Sequence, residues 1–189
     1  MMNLRFGTLL TVGLMMAPGQ ASAQELSDKQ LIRTLGRVEG AAPAIDVALL
    51  VQEAAASAGK GVASLPDWQN LSKLSQLIVE IEFENDSVAI EPKSYRTVGM
   101  IADALHHPNL RRYKFLVVGH TSSTGDAKHN LMLSQKRADA ITEALSTTFA
   151  IAPDRLIAIG VGEEWPVDPA NPQAADNRRV QLVNLGLVR

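Results

Sequence analysis

The stretch that most restricts the fold of this chain runs from Lys114 to Phe149. Phe115, Leu116, Val117 and Val118 form an unbroken apolar run that stops at Gly119, and a polar loop containing a second turn residue, Gly125, follows. Beyond the loop, Leu133, Ala138, Ile141, Leu145 and Phe149 fall at helical spacing. A short apolar run closed by a turn residue fits a buried strand, and the later periodicity fits a helix packed back on the sheet. The loop between them is of a size to meet a ligand.

The flanking segments extend this pattern. From Leu77 to Phe83 apolar and acidic residues alternate, with Val79, Ile81 and Phe83 on one face and Glu80 and Glu82 on the other. Asn85, Asp86 and Ser87 end that strand. Pro92 then opens a helix whose buried stripe is expected to be Tyr95, Val98, Ile101, Ala102 and Leu105, closed by Pro108. A third strand is expected from Arg155 to Ile159, ending in Gly160 and Gly162, then a Pro-rich loop from Trp165 to Pro172. Asn177-Arg178-Arg179 leads into a last strand, Val180 to Val183. The order β-α-β-α-β-β places two helices on one sheet.

The motifs are spaced through the whole region. They comprise Phe83 with Asp86-Ser87, GHT at 119–121, Gly125, Asn130, LSQKRA at 133–138, GVGE at 160–163 and NRRV at 177–180. This series resembles the peptidoglycan-binding domain of the OmpA family over roughly Leu77 to Leu185. The resemblance implies an α+β OmpA-like domain, with both long helices on one face of a mixed four-stranded sheet. It also implies a cleft, built by the loops after the first two strands, for the diaminopimelate of the peptidoglycan stem peptide. Carried over position by position, the ligand contacts fall on Asp86, Thr121, Ser122, Thr124, Asn130, Arg137 and Arg178. At one of them the chain leaves the family pattern, with Ser122 standing where the family has an Asp.

These residue types suit that ligand. Diaminopimelate offers a second ammonium and a second carboxylate on one carbon. A guanidinium fork grips a carboxylate through two charge-assisted hydrogen bonds; Arg137, facing the Gly119–Gly125 loop, and Arg178 are the expected cations. The ammonium needs oxygen acceptors, one of them charged for preference. Hydrogen bonds to charged groups contribute about 1.5–3 kcal/mol against about 1 for neutral ones, so Ser122 implies binding weaker by roughly ten-fold or more. Asp126 and Asp86 stand near enough in sequence to offset part of that loss.

Each candidate also has a plainer role. Arg137 alone would be a solvated helix charge, and either of Arg178 and Arg179 could pair with Glu163 or Glu164. Asn130 could cap the helix or order the loop, Asp86 could terminate its strand, and Thr121 and Thr124 are ordinary turn residues. Ser134 resembles an N-cap.

Upstream, residues 1–23 read as a secretory signal peptide, with Arg5 in the n-region, Phe6 to Met16 as the apolar core and Ala21-Ser22-Ala23 as the cleavage site. The apolar run is too short to span a bilayer, and no other segment of the mature chain is apolar enough to do so. The expected location is the periplasm, in association with the outer membrane or cell wall. Residues 24–74 form a helical N-terminal region. Ser27 and Gln30 make a capping box before Leu31, Ile32, Leu35 and Val38; Gly40 and Pro43 break that helix; Asp46 caps a second; and Pro66 opens a short third with Leu71 and Leu74. Helices this short bury little alone, so they are expected to dock on the main domain, 75–186, or on an envelope protein.

Composition removes other classes. The 189 residues, 46% hydrophobic and 20% charged, suit one globular domain, and a net charge of −2 lacks the basic excess of a nucleic-acid binder. Absence of cysteine excludes disulfides, thiolate metal sites, a Cys nucleophile and a lipidated N-terminal Cys. His106 and His107 sit at a helix end, and neither His120 nor His129 has zinc-motif spacing. No metal, cofactor or catalytic residue is expected. The reading is therefore a non-catalytic envelope protein that binds peptidoglycan. Its alternative is an OmpA-like interaction module that has lost peptidoglycan binding; a wall-remodelling enzyme comes last.

Overall fold

The computed structural model describes residues 28–36, 45–57, 59–84 and 87–187. The signal-peptide segment, Ser27, the break at Gly40 and Pro43, and the candidate Asp86 lie outside the described residues. Three short helices come first: α1 (Asp28–Leu35), α2 (Val47–Ala56) and α3 (Pro66–Ser72). Then follow β1 (Gln76–Val79), α4 (Tyr95–His106), β2 (Tyr113–Gly119), α5 (Ala127–Thr147), β3 (Leu156–Gly160) and β4 (Val180–Leu187). This is the β-α-β-α-β-β order read from the sequence.

The four strands make one mixed sheet in the order β1-β4-β2-β3. β4 runs antiparallel to both β1 and β2, whereas β2 and β3 are parallel and joined by the α5 crossover. β2 is buried on both faces, which is why its sequence is an unbroken apolar run. Phe115 and Val117 join the core under α4 and α5, and Leu116 and Val118 join a second core on the opposite face.

Both long helices lie on the first face. Val98, Ile101, Ala102 and Leu105 of α4 and Ala138, Ile141 and Leu145 of α5 are buried there, and α1 adds Leu31 and Leu35. The Asn184 side chain of β4 ties α1 down by donating to the Leu35 carbonyl at 2.7 Å. The second face is covered by α2 and α3, through Leu50, Ala54, Trp68 and Leu71. Fully burying one such side chain contributes about 1.5–3 kcal/mol, enough for a few large residues to hold helices that would not persist alone. The N-terminal helices thus dock on both faces of the sheet.

Local chemistry sets the element ends. Asp46 caps α2 by accepting from the Leu49 amide at 3.1 Å, and Asp126 caps α5 by accepting from the His129 amide at 2.8 Å. The cap of α5 is therefore Asp126, neither Asn130 nor Ser134, and its carboxylate is occupied there. Tyr95 departs from the expected stripe: it is 44% exposed, because a 3₁₀ turn at Pro92–Ser94 precedes α4 and buries Ser94 instead. β1 ends its regular pairing at Val79, leaving Phe83 in an isolated bridge with Ile90, while β4 continues past Val183 to Leu187.

Candidate functional site

The GHT, LSQKRA, GVGE and NRRV motifs meet where β2, β3 and β4 reach one end of the sheet. α5 approaches the strands closely there. A Cβ on Gly119 would stand 2.3 Å from the Ser134 carbonyl oxygen, and one on Gly160 would stand 2.1 Å from the Gln135 amide nitrogen. Only glycine permits that approach. Polar side chains then lock it: Ser134 Oγ donates to the Leu131 carbonyl and accepts from the Gly162 amide at 2.8 Å, and Gln135 Oε1 accepts from the Gly160 amide at 2.7 Å. Ser134 is thus a mid-helix clamp. One and a half turns of α5 dock the helix and aim the next residue but one.

That residue is Arg137. Its Nε donates to the Ser87 carbonyl at 3.1 Å, and its guanidinium carbon sits 4.8 Å from the centre of the Phe83 ring. The side chain therefore reaches the segment after β1, where a cation–π contact and a carbonyl hold it. Beside it opens a cleft of about 400 Å³ lined by Glu80 to Phe83, Glu91, Gly119, His120, Arg137, Ala175 and Arg178 to Val180. Three guanidinium groups thus share one cavity with three glutamates.

The other expected contacts are placed differently. Thr124 is exposed, and Thr121 and Ser122 are buried, with the Ser122 hydroxyl directed to Thr124 Oγ1 at 3.4 Å. Thr121 Oγ1 has no partner. Asn130 is buried, and its amide donates to the Ser122 and Thr124 carbonyls and to Glu163 Oε2 at 2.7 Å. It orders the loop, one of the two roles read from its position. Of the carried-over set, Arg137 and Arg178 line the cleft together, whereas Thr121, Ser122 and Thr124 lie in the loop after β2 that Asn130 of α5 holds.

Neither Glu163 nor Glu164 holds an arginine in the way the sequence allowed. Glu163 receives Asn130, and buried Glu164 accepts from the Gly59 and Gly61 amides at 2.5 and 2.8 Å. This carboxylate anchors the turn between α2 and α3 to the strand-end loops.

Two buried polar residues of the cleft wall, Arg179 and His120, lie outside the carried-over set. Arg179 is only 6% exposed; it donates to the Trp165 carbonyl at 2.8 Å, its Nε has no partner, and burial lowers its pKa to about 10. His120 bonds Gln181 through Nε2 at 3.0 Å and packs against Trp165. Burial, followed by the positive charge of Arg179, holds its pKa well below the ordinary value. The ring is neutral. The signal for both lay in strand alternation, since Arg179, just before β4, and Gln181, on it, are two apart, and the His120 amide is set beside them by its hydrogen bond to the Arg179 carbonyl. The remaining wall is shaped by Asn177, wholly buried, which accepts from the Val167 and Asp168 amides and donates to the Asn171 and Pro172 carbonyls.

The family model described as OmpA family matches residues 82–180, more than half of the chain. The chain belongs to the OmpA family. Among curated OmpA-related proteins it is 33% identical over 113 residues to outer membrane porin F of Pseudomonas fluorescens, covering 59% of this chain and 34% of that one. It is 31% identical over 107 residues to the peptidoglycan-associated lipoprotein of Pseudomonas putida, covering 56% of this chain and 62% of the relative. The chain thus spans about a third of the porin and three-fifths of the lipoprotein. The solved OmpA-like domain of FopA1 from Francisella tularensis superposes with a TM-score of 0.50 at 17% identity, over 60% of this chain and 77% of that one, and shows the shared fold.

Proposed function

We propose that this chain is a non-catalytic cell-envelope protein whose OmpA-like domain, residues 75–186, binds peptidoglycan through the cleft at the sheet end. The observation that carries the reading is the seating of Arg137, held by the Ser87 carbonyl and the Phe83 ring in the wall of a cavity of about 400 Å³. A preorganised guanidinium loses little freedom on gripping a carboxylate. Arg178 adds a second, exposed cation. The name of the lipoprotein relative, which states association with peptidoglycan, supports the same ligand, and the two curated relatives together support a periplasmic place at the outer membrane or cell wall. Residues 1–23 act as the export signal in this reading.

Co-sedimentation with purified sacculi tests it. Truncating one partner of a buried charged pair costs about 2–5 kcal/mol, so Arg137→Ala should abolish binding at micromolar protein. Undiminished co-sedimentation would overturn the assignment of this cleft. A second reading, an interaction module without peptidoglycan binding, is favoured by Ser122, whose hydroxyl is buried against Thr124 and offers the cleft no acid. Wild-type protein that stays in the supernatant at low salt would establish that alternative.

A further inference from the structure

Pairing of β1 with β4 stops at Val79 opposite Val180. Carried one residue further, the same register sets Glu80 opposite Arg179. Residues opposite each other in an antiparallel pair share a face, so an acid and a guanidinium placed this way would ordinarily close on one another. Here they stay apart. The described ion pairs in this wall join Lys93 to Glu82 at 2.5 Å and to Glu91 at 3.3 Å, and none joins Glu80 to Arg179.

Both residues line the cleft. Arg179 is more than nine-tenths buried, its Nε is shut off from solvent and its two Nη groups donate to the Asn177 and Trp165 carbonyls, so it does not turn out to meet Glu80. Glu80 is exposed, and, unlike Glu82 and Glu91, it is not engaged by Lys93. Ser122 is buried and absent from the cleft wall.

On the wall-binding reading above, we propose that Glu80 receives the second ammonium of diaminopimelate, beside the carboxylate that Arg137 grips. The ammonium is then read just past the end of β1 instead of in the loop after β2. An ammonium and a carboxylate on one carbon match an acid and a guanidinium that line one cleft.

The test titrates a soluble diaminopimelate stem peptide against the full chain, beside the same peptide carrying 2-aminopimelate, which keeps the second carboxylate and lacks the second ammonium. Wild type should prefer the diaminopimelate peptide, and Glu80→Gln should lose about ten-fold for it and little for the analogue, as expected when a charged hydrogen bond becomes neutral. Glu143→Gln, at an exposed position of α5 outside the cleft wall, should leave both affinities within about two-fold. Equal wild-type affinity for the two peptides, or a Glu80→Gln variant that weakens both alike or neither, overturns the inference while leaving wall binding intact. Wild type that binds neither peptide overturns wall binding and the inference with it.

Discussion

His120 shows how one buried side chain couples acidity to stability. Its ring is neutral in the folded protein because burial and Arg179 both oppose a second proton. The unfolded chain takes that proton near pH 6.5, so it binds more protons than the folded chain below that value. The stability associated with His120 is therefore full above pH 6.5 and is lost as pH falls toward the depressed folded value. Urea midpoints measured from pH 7.5 to 5 should fall for wild type and fall less steeply for His120→Gln. Parallel slopes would show that other groups dominate. At the same scale, the ties of Arg137 to the fold include the Ser87 carbonyl and the Phe83 ring. Its loss should cost stability only about 1 kcal/mol, since the side chain is partly solvated. Arg137→Ala can then be judged on binding alone.

The junction of α5 with β2 and β3 decides where Arg137 points. The Cβ of an alanine at 160 would meet the backbone of Gln135, which cannot turn aside as a side-chain tip could. Gly160→Ala should destabilise by about 1–3 kcal/mol or more, by forcing helix and strand apart, and should weaken sacculus binding through displacement of Arg137. Thermal melts and co-sedimentation check both; an unchanged melting temperature would show that the contact yields. Much at this scale was legible in the sequence. The apolar run of β2, the stripe of α4 and the motif order predicted the elements, because period and turn residues are local properties. What stayed hidden depends on partners distant in the chain. Ser134 reads as a cap until the Gly162 amide is placed beside it, and Tyr95 reads as core until the preceding 3₁₀ turn rotates it outward. The same limit applied to the cleft: Arg137 and Arg178 followed from the motifs, whereas Glu80 joined its wall only once the end of β1 was set beside β4.

Across the whole molecule, the sheet is covered on both faces, and the second cover is fastened beside the cleft. Glu164 holds the Gly59 and Gly61 amides, and the Val62 amide donates to the Glu164 carbonyl at 3.0 Å. Removing the carboxylate leaves two amides without their acceptor. Glu164→Ala should cost about 2–4 kcal/mol and loosen the turn before the rest of the chain unfolds. Limited proteolysis should then cut between α2 and α3 in the variant and spare the wild type; equal resistance would mean that the apolar contacts of Trp68 and Leu71 suffice.

The seam also has an optical consequence. The chain contains two tryptophans, and they meet edge to face, with Trp68 of α3 and Trp165 of the strand-end loop 5.3 Å apart. Trp165 in turn touches His120 in the cleft wall. Two indoles at this distance and angle couple through their strong far-ultraviolet transitions, so an exciton couplet in the far-ultraviolet circular dichroism is the expected signature of the closed seam and should weaken when either ring moves. Anything that lifts the helical cover or shifts the loop changes one spectrum, in unlabelled protein and without a tag.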